Sequence, residues 1–329
     1  MELTGKNVLV VGLARSGMAA IKVLHRLGAV ITLSESKKKE DIKELPELEK
    51  LGVTVVDQSM QVFEGNYALV VKNPGVPFRS PMMQRLAERN IPVITEIELA
   101  YNVAKPQHYV AITGTNGKTT TSTLVYELLA KTFPGKTHLC GNIGIPLCET
   151  VLENGLMEEG GHYIALEISN FQLVNIDRFR PEAAVILNLT PDHVDFMGSL
   201  DAYYKSKTEV YRNMSGSDLF LLNADDPVLA EYTAKYPVNC TVRTFSTDRS
   251  DTDSCVSGGY VCVNSEKVLP LDLIKIIGKH NLQNIIVAVS IAKAFGVTNE
   301  DICSVIADFR GVEHRIEFVR ELNGVKYYN

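Results

Sequence analysis

No apolar run in this sequence is long enough to cross a membrane, and no leader-type segment precedes its first strand pattern. A spanning helix needs about 20 apolar residues, so a transmembrane helix is excluded, and the start of the chain points to the cytoplasm. Cysteine is scarce. The six residues Cys140, Cys148, Cys240, Cys255, Cys262 and Cys303 include no C-x-x-C pair and read as reduced, mostly buried thiols. Charge of one sign is nowhere concentrated except at Lys37-Lys38-Lys39, a solvated loop, and the net charge is -6. Neither a nucleic-acid surface nor a membrane surface is indicated. What remains is a globular balance, 22% charged and 45% hydrophobic. A chain of 329 residues exceeds one ordinary core and suggests two domains with a partial third.

The most informative stretch is Tyr109-Val110-Ala111-Ile112-Thr113-Gly114-Thr115-Asn116-Gly117-Lys118-Thr119-Thr120-Thr121. A buried strand breaks into a glycine-containing turn and then enters a helix through Gly-Lys-Thr-Thr. Glycines let backbone N–H groups converge on an anion, and the helix adds the positive end of its dipole. Lys118 is placed for the outer phosphates and the Thr119 hydroxyl for Mg²⁺. The usual first glycine of such a loop is missing, since Ile112 stands there, so the motif is the shorter G-x-x-G-K-T. The plainer alternative is a strand–turn–helix with a surface lysine.

Upstream, Asn7 to Val11 reads as a parallel-sheet strand, followed by Gly12-Leu13-Ala14-Arg15-Ser16-Gly17, a helix from about Ser16 to Leu27, and a strand Ala29 to Leu33. This is a dinucleotide-type βαβ pattern whose middle glycine is Ala14 and whose expected acidic residue is Glu35. Loss of the middle glycine weakens an NAD reading without excluding another nucleotide. A strand from Tyr67 to Lys72 stops at Asn73-Pro74-Gly75-Val76-Pro77, at the sheet edge where α/β proteins bind ligands, or simply at a rigid turn. A strand Ile91 to Thr95, a helix Glu96 to Val103 and a linker Lys105-Pro106-Gln107 follow.

Beyond the loop, a helix Thr119 to Thr132 precedes the turn Gly141-Asn142-Ile143-Gly144-Ile145-Pro146. The strand Tyr163 to Ser169 is apolar except for Glu167, which a buried strand tolerates only if paired or metal-bound. The strand Ala183 to Leu189 runs into Thr190-Pro191-Asp192-His193, and a helix from Leu200 to Tyr211 sets Lys205 and Lys207 on different faces. A lone histidine is more often structural. Leu219 to Asn223 is a strand ending at Ala224-Asp225-Asp226-Pro227. Residues 237–273 are strand-like, and Gly278 opens a helix to about Phe295 that carries Asn281 and Asn284 one turn apart.

Taken together, Thr113 to Thr119, Gly141-Asn142-Ile143-Gly144, Leu166-Glu167-Ile168-Ser169, Asn188 to His193 and His280-Asn281-Leu282-Gln283-Asn284 resemble the Mur ligase family. These are ATP-dependent amide-forming enzymes of peptidoglycan precursor synthesis. The resemblance covers the whole chain. Gly12 to Gly17, Asn73 to Pro77 and Asn170-Phe171-Gln172-Leu173 look most like the member that joins D-glutamate to UDP-N-acetylmuramoyl-L-alanine.

The resemblance implies an α/β protein: a Rossmann-like N-terminal domain (1–103) for the UDP substrate, a central P-loop ATPase-type domain (104–298), and the start of a third, Rossmann-like domain (299–329). It implies ATP contacts from Gly114, Thr115, Asn116, Gly117, Lys118, Thr119, Thr120, Asn281, Asn284 and Arg315, with catalysis resting on Lys118, His193 and Lys207. Mg²⁺ ions would be held by Thr119, Glu167, His193 and Lys207, the last as a carbamate. UDP-muramoyl contacts are implied for Arg15, Ser16, Glu35, Asn73, Asn142, Ser169, Phe171 and Gln172. Partners are then small molecules, with no nucleic acid and no membrane, and the protein is expected to be a monomer. After a helix Asn299 to Asp308, the Asn323-Gly324 hairpin ends the sequence, so a truncated ligase is expected, with the D-glutamate site beyond the last residue. Three alternatives stay open: another Mur ligase or folylpolyglutamate synthetase, an NAD-binding oxidoreductase, and a nucleotide-dependent binding or regulatory protein with no ligase step.

Overall fold

The computed structural model describes residues 1–77, 79–192, 197–312, 318–322 and 325–328, and not the side chain of Met60 or those of the final hairpin apart from Leu322. The chain forms two compact units interleaved in sequence. The first comprises Met1–Pro106, Cys140–Gly160 and Asn170–Phe179, and the second comprises Gln107–Leu139, Gly161–Ser169 and Arg180–Asn329.

In the first unit the strands β1 (Asn7–Val11), β2 (Val30–Glu35), β3 (Thr54–Asp57), β4 (Leu69–Lys72) and β5 (Val93–Ile94) form one parallel sheet in the order β3-β2-β1-β4-β5. Val8 to Val11 are all buried because β1 is central and both sheet faces are covered, which is why this strand reads as continuously apolar. Helices α1 (Ala14–Arg26), α2 (Leu45–Lys50), α3 (Met60–Phe63), α4 (Pro81–Glu88) and α5 (Glu96–Val103) connect the strands. Leu9, Val11 and Val70 pack against Phe63, Met83 and Leu86. The order reverses direction between β1 and β4, so the turns after those two strands share one end of the sheet. A ligand crevice is expected there.

Segment 45–63 carries no legible period because α2, β3 and α3 have only 6, 4 and 4 residues. The strand expected over Tyr67 to Lys72 begins at Leu69, and the helix expected from Ser16 begins at Ala14.

The second unit is built on a sheet ordered β14-β13-β12-β11-β10-β9-β6-β8-β7. Its strands are β6 (His108–Thr113), β7 (Thr137–Gly141), β8 (Tyr163–Glu167), β9 (Ala183–Ile186), β10 (Gly216–Asn223), β11 (Cys240–Phe245), β12 (Ser254–Ser257), β13 (Tyr260–Val263) and β14 (Glu266–Pro270). It is parallel from β8 to β12 and closes with antiparallel β13 and β14. Helix α6 (Lys118–Thr132) and the helix Lys279–Ala294 pack on the sheet through Leu124, Leu128, Val185, Ile285 and Val289. Strands Phe318–Leu322 and Val325–Tyr328 pair antiparallel as expected, while their turn, Asn323 and Gly324, lies outside the described residues.

Two excursions return to the first unit, carrying α7 (Leu147–Glu153) and α8 (Asn170–Leu173). Glu167 is therefore not on an edge strand: β8 lies between β6 and β7.

Candidate functional site

The loop after β6 is tightly specified. Gly117 sits at φ +84°, in the left-handed region, and a Cβ there would lie 2.5 Å from Asn284 Oδ1 and 3.2 Å from a Leu187 methyl. Only glycine combines that backbone with that crowding. Among the described residues no side chain caps the N-terminus of α6, and its first turn holds no acid, so its N–H groups and dipole face the loop. The segment after β9 braces the turn. Asn188 Oδ1 accepts from the Asn116 N–H (2.9 Å), Asn188 Nδ2 donates to the Asn116 carbonyl (3.1 Å), and Thr115 Oγ1 donates to the Thr190 carbonyl (3.1 Å).

Four of the expected residues converge on this loop. Lys118 Nζ donates to the carbonyls of Gly114 (3.0 Å) and Thr115 (2.8 Å). Thr119 Oγ1 donates to Glu167 Oε2 at 2.8 Å, and both residues are buried. Lys207, 1% exposed, reaches from the helix Leu200–Thr208 to donate to the Gly114 carbonyl at 3.0 Å, with Nζ 4.6 Å from the Tyr203 ring centre. Lys205, two residues earlier, is exposed, which resolves the two-face reading of this helix. Burial and then the nearby Lys118 charge, opposed by Asp192, lower the Lys207 ammonium pKa to about 7. Thr120 is buried behind the loop.

Alongside lies a cleft of about 630 Å³, whose walls include Asn188, Thr190, Asp225, Lys279, His280 and Gln283. Asn281 and Asn284 do not line it. Both are buried, with Asn281 Nδ2 donating to the Ile277 carbonyl (2.8 Å) and Asn284 Nδ2 to Asn281 Oδ1 (3.4 Å). Asp225 and Asp226 do line it, and sequence reasoning assigned them no role. Their position at the carboxyl end of a parallel strand was the available signal. His193 and Arg315 lie outside the described residues.

The first unit holds a second cavity, of about 190 Å³, bounded by Arg15, Ser16, Asn73, Asn142 and Gln172 among others. One wall is the crevice between β1 and β4. There Asn73 Nδ2 donates to Ser16 Oγ (3.3 Å), and Asn73 Oδ1 accepts from the Gly75 N–H (3.0 Å). Gly17 is required by close approach, because a Cβ there would lie 2.3 Å from the Gly12 carbonyl oxygen. The other wall is made by the two excursions, and Arg15 Nη2 donates to the Gly144 carbonyl between the walls.

Glu35 does not line this cavity. Its carboxylate accepts from the N–H groups of Leu13 (2.8 Å), Ser36 (2.7 Å) and Lys37 (3.3 Å) and from Ser36 Oγ (2.9 Å). Burial pushes the Glu35 pKa up, but these donors prevail and hold it below the usual range. Phe171 is half-buried off the cavity, and Ser169 is buried just past β8.

Lys72, not anticipated at all, is 2% exposed and donates to the carbonyls of Asn73 (3.1 Å) and Val76 (2.9 Å), holding the turn from behind. Burial lowers its pKa to about 8.

These features, an anion loop with buried Thr119, Glu167 and Lys207 in one unit and a Rossmann-like crevice in the other, agree with the family comparisons. The Mur ligase middle domain matches residues 112–292, and the Mur ligase MurD-like N-terminal domain matches residues 6–95. The chain belongs to the Mur ligase family.

Within that family its relatives include UDP-N-acetylmuramoylalanine–D-glutamate ligases. That of Geobacillus sp. (strain WCH70) is 38% identical over 326 residues, 98% of this chain and 71% of the relative. That of Enterococcus hirae is 39% identical over 328 residues, 98% of this chain and 70% of the relative. Among solved structures, a UDP-N-acetylmuramate:L-alanyl-gamma-D-glutamyl-meso-diaminopimelate ligase from Neisseria meningitides shares the fold. Its TM-score is 0.63 at 18% identity, covering 94% of this chain and 100% of that one. The MurF ligase of Thermotoga maritima in complex with ADP gives 0.52 at 19% identity, covering 99% of this chain and 68% of that one. The α/β fold expected from the sequence is therefore borne out. No helix among the described residues is long and apolar enough to cross a membrane.

Proposed function

We propose that this chain carries the nucleotide and muramoyl sites of an ATP-dependent ligase that adds D-glutamate to UDP-N-acetylmuramoyl-L-alanine in peptidoglycan precursor synthesis. In this reading residues 1–103 bind the UDP substrate, 104–298 bind ATP, and 299–329 begin a third domain. The protein acts as a cytoplasmic monomer. The observation that carries the reading is the buried Lys207, aimed at the anion loop on the same carbonyl oxygen as Lys118.

Two ammonium groups on one carbonyl repel, which favours the neutral amine of Lys207. A neutral amine adds CO2 and releases a proton, giving a carbamate. The carbamate would attract Lys118 instead of repelling it. The Thr119 hydroxyl and Glu167 carboxylate, in contact at 2.8 Å, are hard oxygen donors of the kind Mg²⁺ selects. Thr119, Glu167, His193 and carbamylated Lys207 would hold such ions, which would neutralise phosphate charge.

The Lys118 side chain and the N–H groups of Gly114 to Thr120 bind and orient the ATP phosphates. The substrate's L-alanine carboxylate oxygen attacks the γ-phosphorus, the bond to ADP breaks, and an acyl phosphate forms. The D-glutamate amine then attacks the acyl carbon, inorganic phosphate leaves, and the amide forms with loss of a proton. No protein nucleophile takes part, so rate enhancement comes from alignment and charge stabilisation. Arg15, Ser16, Asn73, Asn142 and Gln172 orient the muramoyl substrate, with Phe171 and Ser169 adjoining.

Calorimetric titration of UDP-N-acetylmuramoyl-L-alanine into this chain tests the reading, with NAD and UDP-glucose as controls. Micromolar binding of the muramoyl substrate alone, about −8 kcal/mol, is expected. Tight NAD binding without muramoyl binding would return the oxidoreductase alternative.

A further inference from the structure

The first unit also holds a buried segment with no assigned role, Thr95-Glu96-Ile97-Glu98, in which two acids flank Ile97. Thr95 occupies the N-cap of α5, where a threonine hydroxyl ordinarily accepts from the first-turn N–H groups. It makes no such bond. Its hydroxyl, fully buried, donates instead to the Gln172 carbonyl at 3.0 Å. Glu96 and Glu98 stand in the first turn, where acids usually face solvent, yet they are 2% and 0% exposed.

Both carboxylates face backbone of the returning segments. Glu96 Oε1 accepts from the Cys148 N–H in the first turn of α7. Glu98 accepts from the N–H groups of Asp177 (3.0 Å), Arg178 (2.9 Å) and Phe179 (3.0 Å), and from Asn102 Nδ2 at 2.6 Å. Burying two carboxyls is costly unless they are hydrogen-bonded, and the backbone N–H groups that bond them belong to the two excursions.

We propose that Thr95, Glu96 and Glu98 are positioning residues that set muramoyl-substrate affinity. By fixing the backbone at Cys148, Gln172 and residues 177–179, they hold in register the two segments that present Asn142 and Gln172 to the cavity. None of the three lines that cavity, so they act through the backbone they hold. The proposal rests on the muramoyl-substrate reading above.

The deciding experiment titrates UDP-N-acetylmuramoyl-L-alanine and, separately, ATP into the parent chain, Thr95→Val and Thr95→Ser, with thermal unfolding of each. Thr95→Val keeps shape but removes the Thr95 hydroxyl that donates to the Gln172 carbonyl. Its affinity for the muramoyl substrate is expected to fall about tenfold while its ATP affinity changes less than about twofold, and Thr95→Ser is expected to restore binding. A purely structural role would not separate the two ligands. Equal muramoyl affinity in Thr95→Val and parent overturns the clamp and leaves the function standing, whereas a parent that binds no muramoyl substrate overturns both. If Thr95→Val does not fold, hydrogen exchange on the parent decides. Substrate is expected to slow exchange at Cys148 and residues 177–179, and unchanged exchange there refutes the proposal.

Discussion

Replacing Gly17 by alanine sets two effects of opposite sign against each other. Gly17 lies inside α1, where alanine is favoured over glycine by about 1 kcal/mol on helix propensity. Against that, the new Cβ would sit 2.3 Å from the Gly12 carbonyl oxygen, a backbone atom, whereas real Cβ contacts are essentially never below 3.0 Å. The helix or the turn must therefore move by about 0.7 Å, the difference between the two figures. Such overpacking costs about 1–3 kcal/mol.

The turn cannot yield freely, since the Gly12 N–H donates to the Ser34 carbonyl (2.9 Å) and the Leu13 N–H to Glu35. The clash therefore offsets or exceeds the propensity gain, with a net loss of up to about 2 kcal/mol. For a unit of this size that lowers the melting temperature by up to about 6 °C. Arg15 and Ser16 lie at the start of the displaced helix, so muramoyl affinity falls about tenfold. Differential scanning calorimetry and titration of Gly17→Ala give both numbers. A variant as stable as the parent with undiminished affinity would refute the close-approach argument.

Three further outcomes follow from buried groups. Glu96, raised to about 7 by burial, costs stability as pH rises from its ordinary 4.5 to 7, because the unfolded chain ionises it first. The cost is about 1.4 kcal/mol per pH unit, constant above 7, and Glu96→Gln should flatten that part of a urea-unfolding series. Lys72, lowered to about 8, gives the opposite slope: stability rises between pH 8 and 10.5 as the folded amine is already neutral, and Lys72→Met should abolish the rise. Thr119→Val removes the hydroxyl beside Glu167, and ATP affinity measured with Mg²⁺ should drop about tenfold while muramoyl affinity holds.

The anion loop was legible because its signals are local: an apolar strand, two glycines and a lysine within a dozen residues. The same holds for Lys207, whose helical offset from Lys205 separates a buried face from an exposed one. Glu96, Glu98 and Lys72 were not legible. Each looks like an ordinary charged residue at an element's end, and the backbone that justifies burying the two acids comes from 52 to 81 positions away. The bonds of Glu35 were not legible for a related reason. The fingerprint tells where an acid will stand, not whether its oxygens are already taken by the turn it supports. Asn281 and Asn284 have helix spacing that puts them on one face, but which face meets the cleft depends on tertiary packing.

The interleaving of the two units has a consequence for biosynthesis. The first unit lacks its second cavity wall until Phe179 has been translated, and by then β6, α6 and β8 of the second have already been made. At about 5–20 residues per second, the stretch from Pro106 to Phe179 takes seconds to emerge. Glu96 waits for Cys148, Thr95 for Gln172 and Glu98 for residues 177–179, so the nascent first unit carries a polar seam that closes only when its last strip of chain arrives.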